Sequence, residues 1–241
     1  MPRSSRTPAG DANVAPTAAL LADPARIAML WALSDGRACS AGELAGTAGV
    51  TASTASEHLA RLVSGGLLQG QSQGRHRYYR LANPAVIQAL ESLAGLAPAP
   101  PLSAPAPITP LRFARTCYDH LAGALGVRVT ETLLARGALQ PAQRDFQIAP
   151  RGDELLSELG VDVASVTEAA RRSRRVLARS CLDWSERRSH LAGALGAALA
   201  TALLERQWLE RMPRTRAVKV TRAGRVGLRR VLDLTVDVAL R

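Results

Sequence analysis

Apolar positions between residues 24 and 95 follow two periods, and polar punctuation separates the stretches. Asp23 and Pro24, a cap followed by a first-turn proline, open the helical run ARIAMLWAL, which stops at Ser34, Asp35 and Gly36. Ser40 and Glu43 have capping-box spacing and predict a second short helix ending near Gly49. Thr51 begins a third, TASTASEHLARLVS, which Gly65 and Gly66 end. In it Ala55, Leu59, Leu62 and Val63 recur at helical spacing and must face a core. Thr54, Glu57, His58 and Arg61 lie on the opposite side, with Ser53 at the entry. LLQGQ and RHRYYRL flank Ser72, Gln73 and Gly74 and predict a two-stranded hairpin. Asn83 and Pro84 open a last helix with Val86, Leu90 and Leu93 on one stripe.

Helix, helix, turn, helix, hairpin, helix is the order of a winged helix-turn-helix. Short hydroxyls are mediocre helix formers, but they let a helix lie close to base edges and phosphates in a major groove. The expected DNA contacts are Ser53, Thr54, Ser56, Glu57, His58 and Arg61, with Arg75, His76 and Arg77 at the hairpin tip reaching phosphate or the minor groove. Glu57 can instead orient Arg61 at i+4. The bland alternative is a solvated polar helix beside a basic hairpin.

Composition narrows the class. The chain of 241 residues carries a formal charge of +11, nearly all from arginine because Lys219 is the only lysine. A positive balance of that size points to an anionic partner, nucleic acid first. The excess falls on residues 163–230, including RRSRR at 171–175, where a solvated helix face is the competing reading. No run approaches the roughly 18 uncharged apolar residues of a spanning helix. Residues 1–13 read as a disordered arm without a hydrophobic signal core, and the protein is expected to be cytoplasmic. Cys39, Cys117 and Cys181, odd in number and far apart, do not make a disulfide framework.

The Pro/Ala-rich LAPAPPLSAPAPITP at 96–110 predicts a semi-extended linker between a domain over 14–95 and another over 111–241. The second half repeats itself. RTCYDHLAGALG at 115–126 returns as RSCLDWSERRSHLAGALG at 179–196, with six extra residues, and the two copies continue in step. This predicts a tandem duplication over about 111–160 and 175–232, each copy a helix, a short hairpin and a helix. The fold class expected overall is mainly α with small β-hairpins (α+β).

Each copy brings one Cys, one Asp and one His. Cys117 and His120, three apart and expected on one helix face, complete four nitrogen and sulfur ligands with Cys181 and His190. That donor set suits zinc or another soft divalent ion such as cadmium or lead. The competing readings are packed cysteines with capping aspartates, oxidation of Cys117 with Cys181, and an enzyme using a Cys nucleophile beside a His base. Against the enzyme, the chain has no phosphate loop, nucleophile elbow or HExxH. Trp184 and Trp208 either line a pocket for an apolar effector or pack in the core.

LADPARIAML, ELAGTAGVTASTASEHLARLVSGGLL (43–68) and GRHRYYRL (74–81) closely resemble the ArsR/SmtB family of bacterial winged-helix repressors, over about the first 95 residues. The resemblance implies a homodimer that occupies an operator and leaves it when an inducer binds. It also implies dimerisation through the domain's first and last helices, here 14–22 and 84–95. The family's metal sites are not intact. Paired cysteines before the recognition helix are reduced to Cys39, the last helix NPAVIQALESLAGL has no His or Cys, and recognition-helix cysteines are absent. If metal is sensed, it is sensed elsewhere in the chain.

Overall fold

In the computed structural model the described residues are 12–73, 76–98 and 109–236. The residues of the expected arm up to 11, and 99–108 of the expected linker, lie outside them. The chain divides into two compact units, Met1–Ala89 and Leu90–Arg241. The division falls inside the last helix of the predicted N-terminal domain rather than after residue 95.

The first unit is built from α1 (Ala15–Leu21), α2 (Pro24–Ala32), β1 (Cys39–Ser40), α3 (Ala41–Ala48), α4 (Ala52–Ser64), β2 (Leu68–Gln73), β3 (His76–Leu81) and the start of α5 (Pro84–Leu96). Its punctuation follows local chemistry. Asp23 accepts a hydrogen bond from the Arg26 amide at 2.9 Å and opens α2. Ser40 and Glu43 form a reciprocal capping box, and Gly49 ends α3 at a φ of 65°, a conformation glycine adopts without penalty. Met29, Leu30 and Leu33 of α2 and its end, Leu44 of α3, and Ala55, Leu59 and Leu62 of α4 are wholly buried. The antiparallel sheet runs β1-β3-β2.

The second unit takes the rest of α5 and adds α6 (Pro110–Phe113), β4 (Arg115–Cys117), β5 (His120–Ala122), α7 (Gly123–Ala135), β6 (Leu139–Ala142), β7 (Asp145–Ile148), α8 (Gly152–Glu158), α9 (Val163–Ser173), β8 (Arg179–Leu182), β9 (Ser189–Ala192), α10 (Gly193–Glu205), β10 (Leu209–Arg211), β11 (Val218–Val220) and α11 (Arg222–Leu232). Hairpin, helix, hairpin, helix therefore occurs twice, with α9 between the runs. Each run begins with a hairpin where a helix was expected. The chain reverses at Tyr118, which sits in the left-handed region at φ 61°. Helix starts only at Gly123, whose amide donates to Asp183 Oδ2 at 2.7 Å.

The two runs interlock: α7 packs on β9 and α10 on β5. Gly123 and Gly193 begin these helices at φ 81° and 78°. A Cβ there would stand 2.7 Å from the Arg112 carbonyl oxygen and 2.6 Å from that of Val176. Leu125, Leu133, Leu156, Leu195, Leu203 and Trp208 belong to one core shared by both runs. Among the described residues no helix is long and apolar enough to cross a membrane.

Candidate nucleic-acid interface and candidate metal centre

The hydroxyls of α4 hold its first turn. Thr51 Oγ1 accepts from the Thr54 amide at 3.3 Å and lies 3.0 Å from Ser53 Oγ and 2.9 Å from Thr54 Oγ1. Ser56 Oγ donates back to the Ala52 carbonyl. With Ala55, Leu59 and Leu62 buried, the opposite side carries Ser53, Ser56, Glu57 and Arg61 exposed and Thr54 half-buried. His58 departs from the expected outward face. Its Nδ1 lies 3.4 Å from Arg26 Nη1 and its Nε2 3.9 Å from Asp23 Oδ1, so it turns onto the start of α2. A residue at the flank of the buried stripe follows the nearest ion pair inward. On the hairpin, the exposed Arg77 lays its guanidinium over the Tyr79 ring at 5.6 Å. Arg75 and the side chain of His76 lie outside the described residues.

In the second unit the four predicted ligands meet, by a route other than a helix face. Cys117 pairs with His120 across β4 and β5, and Cys181 with His190 across β8 and β9. Residues opposite one another in an antiparallel pair stand on the same side of the sheet, so each hairpin offers one sulfur and one nitrogen. The ligand atoms of all four lie within 4.8 Å of one another, with Cys117, His120 and His190 buried and Cys181 half-buried. His120 Nε2 and His190 Nε2 are 3.2 Å apart.

Each histidine has a carboxylate behind it. His120 Nδ1 is 3.4 Å from Asp119 Oδ1, and His190 Nδ1 is 3.2 Å from Asp183 Oδ2. Such carboxylates favour the tautomer with the proton on Nδ1, leaving Nε2 as a lone-pair donor. Asp119 is itself held by Arg175 at 2.8 Å. Burial alone would raise the Asp183 carboxyl, but the adjacent His190 ring, the Arg115 charge, Ser185 and the Gly123 amide hold it well below the usual carboxylate range. Burial would lower His190, yet Asp183 and Cys117 raise it. The two thiols are coupled: the neighbouring Cys181 sulfur, then burial, pushes Cys117 up to about 12, while Cys117 in turn lowers Cys181. Cys117 holds its proton tightly.

Two residues that sequence reasoning missed stand around the four, outside the cluster itself. Arg115 is 1% exposed and places Nη2 3.0 Å from both Asp183 oxygens. Glu91, on the α5 stretch belonging to this unit, accepts from Trp184 Nε1 and Arg216 Nη2, each at 3.0 Å, and from Cys117 Sγ at 3.8 Å. The available signal was the Arg shared by the two repeat copies at 115 and 179; Glu91 left none. Trp184 lies under Arg115 at 4.8 Å, and Trp208 is buried in the core. Part of the arginine surplus is internal: Arg175 to Asp119, Arg216 to Glu91, and Arg188 to Glu131. Arg171, Arg174, Arg214 and Arg222 are exposed.

Comparison with known proteins bears on both units. The family described as "Helix-turn-helix domain" matches residues 21–71. The HTH-type transcriptional regulator CmtR of Mycobacterium tuberculosis (strain ATCC 25618 / H37Rv) is 42% identical over 73 residues, 30% of this chain and 61% of that one. KmtR, an HTH-type transcriptional regulator of the same strain, is 41% identical over 69 residues, 29% of this chain and 52% of that one. The HTH-type transcriptional regulator YdfF of Bacillus subtilis (strain 168) is 41% identical over 227 residues, covering 93% of this chain and 99% of that one. By that near full-length similarity the chain belongs to the family of HTH-type transcriptional regulators that includes YdfF, and its first unit folds as a winged helix-turn-helix.

Proposed function

We propose that this regulator binds operator DNA as a homodimer and is released when a soft divalent metal ion occupies Cys117, His120, Cys181 and His190. Ser53, Thr54, Ser56, Glu57 and Arg61 would enter the major groove, with Arg75, His76 and Arg77 on the wing. The exposed polar face of α4, opposite a fully buried leucine stripe, supports the DNA reading. Dimerisation through α1 fits a helix that buries none of its residues within the chain. We read the second unit as a tandem duplication that contributes two ligands from each copy, so that one ion ties the copies together. No catalytic role is assigned to any residue.

The single observation that carries the metal reading is the pair of Nε2 atoms 3.2 Å apart, each with a carboxylate at its Nδ1. Two lone pairs that close need a proton or a cation between them. In a tetrahedral zinc site with bonds of about 2.0–2.1 Å to nitrogen, the nitrogens stand about 3.3 Å apart. Two sulfurs complete a soft donor set. Elemental analysis of freshly purified protein tests this: stoichiometric zinc, lost in both Cys117→Ser and Cys181→Ser, supports it. Metal-free protein that refuses zinc, with a Cys117–Cys181 disulfide found by mass after oxidation, would replace metal control with redox control.

A further inference from the structure

Glu91 sits where metal chemistry and α5 meet. It is neither one of the four ligands nor a DNA contact, and its side chain is 10% exposed. Oε1 is fixed by Trp184 Nε1 and Arg216 Nη2 at 3.0 Å each. Oε2 accepts a hydrogen bond from the Cys117 thiol, with Sγ 3.8 Å away. Beside it Arg115 Nε, 3.8 Å from Oε1, is a fully buried donor with no hydrogen-bond partner among the described residues. Of the four donors around it, the carboxylate satisfies three and leaves Arg115 Nε without a partner among the described residues.

We propose that Glu91 is the positioning residue that passes metal occupancy into α5, a proposal that rests on the metal reading above. A sulfur bound to a metal has given its proton to solvent and can no longer donate to a carboxylate. Glu91 then loses its hold on Cys117 and turns to Arg115 Nε, a buried donor that gains a charge-assisted hydrogen bond. The helix that carries Glu91 begins at Pro84 in the first unit and continues unbroken into the second. A shift at Glu91 is thus a shift of an element that both units share. Thiol proton, carboxylate and guanidinium form a two-position switch, and metal selects the second position.

The test is Glu91→Gln in the full chain, with Glu91→Asp as a second variant should Gln fold poorly by circular dichroism. Zinc affinity is measured by competition with a chromophoric chelator, and operator affinity by fluorescence anisotropy with and without zinc. In the wild type, zinc is expected to weaken operator binding by a factor in the range of about 5–150. Glu91→Gln is expected to bind zinc within about threefold of wild type while the zinc effect on DNA shrinks below about threefold. By reciprocity operator DNA should weaken zinc binding by the same factor in the wild type and leave the variant unaffected, which a merely structural glutamate would not produce. A variant that keeps the wild-type coupling ratio, or one that loses zinc binding itself, overturns Glu91 as the transmitter. A wild type that binds no zinc overturns the metal reading first and this inference with it.

Discussion

Arg115 and Asp183 meet in the interior of the second unit, Nη2 of the arginine 3.0 Å from both carboxylate oxygens, with the side chains 1% and 0% exposed. The pair joins β4 of one run to the β8–β9 loop of the other and stands directly behind His190. A buried pair of this kind adds little over apolar packing when intact, but removing one partner strands the other charge. Asp183→Asn should cost about 3–5 kcal/mol in the second unit, read as a lowered midpoint in urea. Since the folded Asp183 is held below its unfolded value of about 3.9, its contribution is present at neutral pH and lost as pH falls through the folded value. The wild-type advantage over Asp183→Asn should therefore vanish in strong acid.

In the proposed metal site, protons compete with the ion for the same ring nitrogens. His190 titrates above the usual histidine value because of Asp183 and Cys117, despite its burial. A ligand must be neutral, so zinc affinity should fall as pH drops through that raised value and should rise on the alkaline side. Binding at neutral pH should release protons, Cys117 among their sources because its thiol is pushed up to about 12. Calorimetry in buffers of different ionisation enthalpy checks both signs. Zinc binding without proton release would be inconsistent with two thiolate ligands.

On the first unit, Arg61→Ala and Arg77→Ala should each weaken operator binding and reduce the slope of log affinity against log salt by about one. Both side chains are exposed, so the fold should be unaffected. His58→Ala should behave differently, losing stability through Arg26 and Asp23 while leaving the salt slope unchanged.

Gly193→Ala tests the helix start that follows His190 on β9. The residue is at φ 78°, and its added Cβ would stand 2.6 Å from a backbone oxygen that cannot swing away. The strain should cost about 1–3 kcal/mol. Because β9 runs from His190 straight into this helix start, zinc affinity should drop with it. Ala197, in the same helix and half-buried, serves as the control position.

The first unit was legible because its signals are local. Asp23, Ser40, Thr51 and Asn83 cap helices, and the capped residues are three or fewer positions away. In the second unit the grouping of one Cys and one His from each copy was legible from the repetition, but the geometry that brings the four ligand atoms within 4.8 Å of one another was not. A tight hairpin usually announces itself with Asn-Gly or a similar pair that tolerates positive φ. Here the turn is Tyr118 and Asp119, with Tyr118 held at φ 61°, so RTCYDHLA read as the start of a helix. What holds that turn lies far along the chain: Arg175 binds Asp119 in the turn itself, and Arg115 at the foot of the hairpin binds Asp183. Glu91 was invisible for the same reason, since its partners are 26 to 125 residues away. His58 went the other way, an apparently outward residue captured by a neighbouring ion pair.

The most direct test of metal-controlled DNA binding is anisotropy of the full-length protein on a duplex of its own upstream region, titrated with zinc. The wild type should leave the duplex as zinc approaches one equivalent per chain, while Cys117→Ser with Cys181→Ser should stay bound throughout. Equal responses from both proteins, whether release or retention, would contradict the account.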